Sequence, residues 1–126
     1  MEALATHRQT VLSLLVAGLI SLTFLLFRPL PKATLLNCGR VTGQLVQIQE
    51  GGTKDIVFKL RNDNDTYYIN RGLERGLTLE EMKRMEGKEI SLYFVEHWTP
   101  FDAMHQVRHV AKVEVGERIV YDEIEK

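Results

Sequence analysis

His97, Asp102, His105 and His109 are the residues whose types and spacing come nearest to chemistry. Imidazoles with a carboxylate among them are what a divalent metal ion takes. On a helix, His105 and His109 would share one face. However, His109 falls in an alternating apolar run, where that spacing parts the rings, and no H-E-x-x-H pattern or cysteine joins them. They are expected to be exposed or packing histidines, not ligands. Cys38 is the only cysteine, which excludes an intramolecular disulfide and any multi-cysteine metal site. No histidine or acid is arranged beside it, so it reads as a bystander thiol. Gly51-Gly52 lacks the following helix and lysine of a phosphate cradle. The carboxylates Asp63, Asp65, Glu80, Glu81 and Glu96 fall on turns or polar faces, without the apolar setting that makes a general acid. No catalytic residue, metal or cofactor is expected. Trp98 and Phe101 flank Thr99-Pro100 in a loop, either as a partner-binding tip or as aromatics folded back over the domain's end.

The elements that would position these residues follow from the apolar period. From Gly39 the period is two. Val41, Gly43 and Leu45 alternate, then Val46 and Ile48 move to the other face, which predicts a bulge or strong coil near Gly43. Glu50 to Lys54 reads as a hairpin loop, followed by a half-buried strand with Ile56, Phe58 and Leu60 on its apolar face. Asn62 to Asp65 is turn chemistry, although Asn64-Asp65-Thr66 also matches a glycosylation triplet, and Thr66 to Ile69 forms a third strand. Thr78-Leu79-Glu80-Glu81 is a capping box, with Leu77 and Met82 at the spacing of a hydrophobic staple and Gly87 as the terminator. It predicts a helix of about two turns. Ile90, Leu92 and Phe94 open a fourth strand, and Val107, His109, Ala111, Val113 and Val115 form the last long alternation. Gly116-Glu117 then turns into Ile119-Val120-Tyr121.

The order is strand, strand, strand, helix, strand, strand, with a coiled first strand. It resembles the OB-fold, a small Greek-key barrel, over residues 39–121, in element order and not in a residue motif. The expected fold is therefore mainly β: a five-stranded OB-like barrel with one short helix between strands 3 and 4, behind an N-terminal transmembrane helix. The resemblance implies that ligands meet the faces of strands two and three, which here carry Val57, Lys59, Arg61, Tyr68 and Arg71. Those side chains could stack on and neutralise a single strand of nucleic acid, or form the ordinary solvated face of a hairpin.

Ahead of this domain an uncharged run extends from Thr10 to Phe27, bounded by Arg8 and by Arg28, Pro29, Pro31 and Lys32. As a helix it spans about 27 Å, close to the hydrocarbon thickness of a bilayer. It is longer than the apolar middle of a secretory signal, and its exit lacks an A-x-A cleavage pattern. The expected organisation is a tail at 1–9, a transmembrane signal-anchor at 10–28, a linker at 29–37 and a barrel domain at 38–126, in a single-pass protein of the cell membrane. The flanking charges lean towards a cytoplasmic domain, whereas a short tail before the first apolar segment is also how exported signal-anchored domains begin. Setting aside Arg8, Arg28, Lys32 and Glu2 leaves 13 basic and 16 acidic side chains, so the domain is mildly acidic. That balance opposes non-specific attraction to nucleic acid. The expected function is a membrane-anchored, non-enzymatic module that binds a protein partner, with Trp98 and Phe101 at its tip. The alternative is an OB-type domain for an oligosaccharide or single-stranded nucleic acid.

Overall fold

The computed structural model of the protein describes every residue except Met1, Arg28, Leu30, Thr99, Ala103, His105 and Lys126. The chain divides into two units, Met1–Leu30 with Thr99–Phe101, and Pro31–Trp98 with Asp102–Lys126.

The first unit carries helix α1, Glu2–Leu26, which begins before the uncharged run and has no buried residue. The hydroxyls of Thr6, Thr10, Ser13 and Thr23 each donate to the carbonyl four residues earlier at 2.9 Å, which keeps these donors inside the helix. With a mean hydropathy of 2.1 over its most apolar stretch, α1 is long and apolar enough to cross a membrane, a property it shares with signal sequences. Arg28, at the predicted exit of the span, lies outside the described residues.

The second unit is mainly β. Its strands are β1 (Cys38–Gly51), β2 (Asp55–Leu60), β3 (Thr66–Ile69), β4 (Glu89–Val95), β5 (Val107–Val115) and β6 (Arg118–Asp122). They form one sheet in the order β3-β2-β1-β4-β5-β6, antiparallel throughout, and β3 also pairs parallel with β5. The expected count of five strands is thus corrected to six. Ile119 to Tyr121 belong to a strand whose alternation is broken by a bulge: Val113 faces Tyr121 and Glu114 faces Ile119, leaving Val120 extra. The single helix expected between strands 3 and 4 is corrected as well. That connection holds a 3-10 turn, Gly72–Glu74, and a separate short helix α2, Leu79–Lys83. Arg71 enters the 3-10 turn in the left-handed region at φ 51°, a geometry that residue type does not advertise.

β1 changes partner along its length. Cys38 to Gln44 pair with β4, and Leu45 to Gly51 pair with β2. The bulge lies at Val46, just after the change, and not at Gly43, where a Cβ would meet only ordinary contacts with Leu60. The extra residue explains the shifted period, because Leu45 and Ile48 both face the core with two exposed residues between them. Further along the β1–β4 pair, Gly39 lies opposite Phe94, whose ring is 2.7 Å from where a Cβ would stand. Glycine there leaves the space that the ring occupies.

The core gathers Leu45, Ile48, Ile56, Phe58, Ile69, Ile90, Leu92, Val110 and Val113, with Met82 and Met85 laid across it. Thr78 caps α2 by accepting from the backbone N–H of Glu81 at 3.2 Å, and Gly87 follows in the left-handed region at φ 87°. A second, smaller cluster of Ala33, Val95 and Ala111 packs with Cys38 and Ile124. It buries Val95, on the face of β4 opposite Leu92 and Phe94. Residues 32–37 hold to the sheet and to the C-terminal segment. Thr34 bridges Glu125 in parallel, the Glu125 N–H donates to the Ala33 carbonyl at 2.9 Å, and Lys32 pairs with Glu125 at 3.2 Å. Asn37 closes this turn by accepting from the Thr34 N–H at 2.8 Å.

Candidate functional site

Of the expected binding residues, the structure brings Lys59 and Tyr68 onto one face and places Arg61 and Arg71 at opposite ends of β2. Lys59 lines a shallow hollow of about 200 Å³ with Gln47, Gln49, Val57 and Thr66, and its Nζ donates to the Asp65 carbonyl at 3.3 Å. Tyr68 is paired with Val57, half-buried, with its ring edge-on to His109 at 5.6 Å. Arg61 donates to the Gln44 side chain at 2.9 Å. Arg71 pairs with Glu74 at 3.0 Å beyond the other end of the strand, where its N–H donates to Asp55. Each cation is thus engaged by the protein, and no basic track joins them.

Trp98 and Phe101 are 47 % and 73 % exposed, and Met104 and Val107 are exposed with them. Asp102 stabilises this segment by accepting from the N–H groups of Gln106 and Val107 at 2.9 and 2.8 Å. The segment leaves the sheet beside the point where the chain enters it, since the Glu96 N–H donates to the Asn37 carbonyl at 2.8 Å. Of the histidine set, His105 lies outside the described residues. Among the described residues no three of His, Cys, Asp or Glu gather as metal ligands would.

His109 instead joins a polar network that sequence spacing does not reveal. Its Nε2 lies 2.6 Å from a Glu123 carboxylate oxygen, and the other oxygen accepts from Arg75 at 2.9 Å. Arg75 also donates to the Tyr121 hydroxyl at 3.2 Å. Residues 75, 109 and 121–123 meet only through the sheet, so no local motif could have signalled them. The His109 side chain is 9 % exposed and its Nδ1 is buried without a partner among the described residues. A histidine–carboxylate pair is the orienting half of an acid–base dyad. Here one ring nitrogen faces Glu123 and the other is enclosed, and the pair binds the C-terminal segment to the sheet.

Burial pushes the Glu123 carboxyl up, but hydrogen bonds with His109 and Tyr121 and the charge of Arg75 outweigh it and hold it below its ordinary 4.5. Burial first, and then Glu123, push the Tyr121 phenol up to about 12. Burial likewise raises the Cys38 thiol, which keeps it protonated and a weak nucleophile at neutral pH. For Glu123 the sign follows directly. The unfolded chain binds this proton more readily than the folded one, so the contribution is present above the unfolded value and lost as pH falls through the folded one. Glu123→Gln is expected to lower stability by about 1–3 kcal/mol at pH 7. It should also flatten the loss of melting temperature below pH 4.5, and parallel profiles for the two proteins would contradict the network's role.

A third surface is a groove of about 540 Å³ between α2 and β6. Leu77, Met82, Met85, Ile119 and Val120 give it an apolar lining, while Glu81, Arg84, Lys88 and Arg118 contribute charges. β6 pairs with β5 on one side and, among the described residues, with no strand on the other. No protein-family model matches this chain, and no curated protein or solved structure matches it either.

Proposed function

We propose that the protein is a membrane-anchored, non-catalytic module that binds a protein partner close to the bilayer, with α1 retained as a single-pass span. The observation that carries this reading is the attachment of residues 32–37 to the C-terminal segment. Only Phe27 to Pro31 separate the end of α1 from Lys32, a chain of at most about 18 Å. A domain on so short a connection works at the membrane surface and cannot range far from it.

In the same reading the sheet closes as an OB-like barrel. The support is the parallel pairing of Thr66 with Val107 and Tyr68 with His109, reinforced by the Arg108–Asp65 ion pair at 2.8 Å. With it, β1, β2, β3, β5 and β4 follow one another as neighbours in a cycle. Closure of this kind removes free edges from all but an added strand. The exposed side chains of Trp98 and Met104 leave the sheet at the end where the chain enters, and their chemistry suits an interfacial contact. An oligosaccharide or nucleic acid on the Lys59–Tyr68 face is the weaker reading, because the cations there are already engaged and the domain is acidic.

Photo-crosslinking of the full chain in native membranes tests the proposal, with the probe placed in turn at Trp98, Tyr68 and Ile119. The expected result is one protein adduct that disappears when α1 is removed. Adducts to glycan or nucleic acid from position 68, or no protein adduct from any position, would overturn it.

A further inference from the structure

We propose that the groove between α2 and β6 receives an extended segment of a partner protein, added as a further strand on the free edge of β6, with acidic side chains against Lys88 and Arg118. The inference rests on the protein-interaction reading and names the chemistry of the partner.

A sheet edge that offers unpaired backbone groups is a template for another strand unless something blunts it. β6 is short, charged at Arg118 and Asp122 and bulged at Val120, which blunts its edge only in part. It contains no proline, and β5 is its one strand partner among the described residues. Ile119 is 55 % exposed on it, while Val120 lies at the bulge. Beside that edge the groove offers what strand addition needs for specificity, a lined channel for alternate side chains. Its apolar surface comes from Leu77, Ile119 and Val120, backed from the core by the buried Met82 and Met85.

The charges at the rim choose the partner. Arg84 is neutralised by Glu80 at 3.3 Å. Lys88 and Arg118 have no ion-pair partner among the described residues, and Glu81 is the one acid lining the groove. An incoming strand with acidic residues in alternation would place carboxylates against these two cations while its apolar residues enter the channel. A second copy of this chain fits less well, because it would bring the same cationic rim and leave the excess charge unopposed.

The test uses the full chain in phosphatidylcholine nanodiscs and short fluorescent peptides that alternate valine with glutamate, valine with lysine, or valine with glutamate on an N-methylated backbone. The glutamate peptide is expected to bind, and to slow hydrogen exchange of the β6 amides. The lysine peptide should bind at least about tenfold more weakly. The N-methylated one should not bind, because it cannot pair as a strand. Lys88→Glu with Arg118→Glu, both on exposed positions, should reverse the preference between the first two peptides without lowering the melting temperature. Equal binding of glutamate and lysine peptides, retained binding in the charge-reversed protein, or no binding of any peptide would overturn the proposal. So would a protein whose β6 is already protected in a dimer. Protection on the β1–β2–β3 face in place of β6 would remove the groove and leave the protein-interaction reading standing, whereas loss of the crosslinked adduct removes that reading itself.

Discussion

Phe58→Ala is expected to cost about 3–5 kcal/mol, enough to unfold a large part of the β domain at physiological temperature. Phe58 is fully buried and lies between Ile48 on β1 and Tyr67 on β3, at the centre of the main cluster. Truncation there removes aromatic surface from both neighbouring strands and leaves a cavity the sheet cannot close, because its backbone is held by pairing on each side. Val57, the next residue, is only partly buried and turned to the outer face, so Val57→Ala should cost well under half as much. Circular dichroism during denaturation would measure both. The Phe58 variant should lose its β signal early while the helical signal of α1 persists. Equal costs at the two positions would mean that the core lies on the other face of β2.

The second large effect concerns α1. Leu15→Asp with Leu19→Asp should release the protein from membranes. Each aspartate at the centre of a span costs about 2.5–3.5 kcal/mol to insert and also replaces a favourable leucine, so the pair opposes insertion by about 6 kcal/mol or more. Neither leucine is buried within the protein, so the change should leave the β domain folded. Alkaline extraction of membranes would find the native chain in the pellet and the variant in the supernatant. Intact mass of the native protein separates a retained helix from a cleaved signal. A native chain that is already soluble, or shortened by the length of α1, would end the anchor reading.

These two experiments bear on the parts of the molecule most legible in its residues. An unbroken apolar run reads as a helix without knowledge of anything else, since its backbone bonds are all local. The same holds for β2 and β3, where strict alternation and flanking turn residues mark each strand, and for α2, whose cap lies within Thr78 to Glu81. Legibility fails where partners are distant. The bulges at Val46 and Val120 insert one residue into the period, which displaced the expected bend from Gly43 and hid β6 as a strand. The network of Arg75, His109, Tyr121 and Glu123 is invisible in the chain because its members come from three separate segments.

The surfaces divide in the same way. Trp98 and Phe101 stand out by composition alone, and the structure adds that they are exposed. Lys59, Arg61, Tyr68 and Arg71 also stand out by type, yet their placement separates them. Strand pairing puts Arg61 and Arg71 at opposite ends of β2, where Arg61 is hydrogen-bonded to Gln44 and Arg71 is ion-paired with Glu74. The groove beside β6 had no signal in the chain, because α2 and β6 are joined only by the packing of the core between them.

By itself the sequence determined an apolar helix, the strands with unbroken alternation and a mildly acidic domain with a single thiol. Each of these depends on neighbours along the chain or on a simple sum of charges. Tertiary structure alone decided the partner exchange of β1, the parallel meeting of β3 with β5, the sixth strand with its open edge, and the attachment of residues 32–37 to the C-terminal segment. These depend on which distant residues share a core or a ladder, and hydrogen bonds between strands carry no mark of their partner in local sequence.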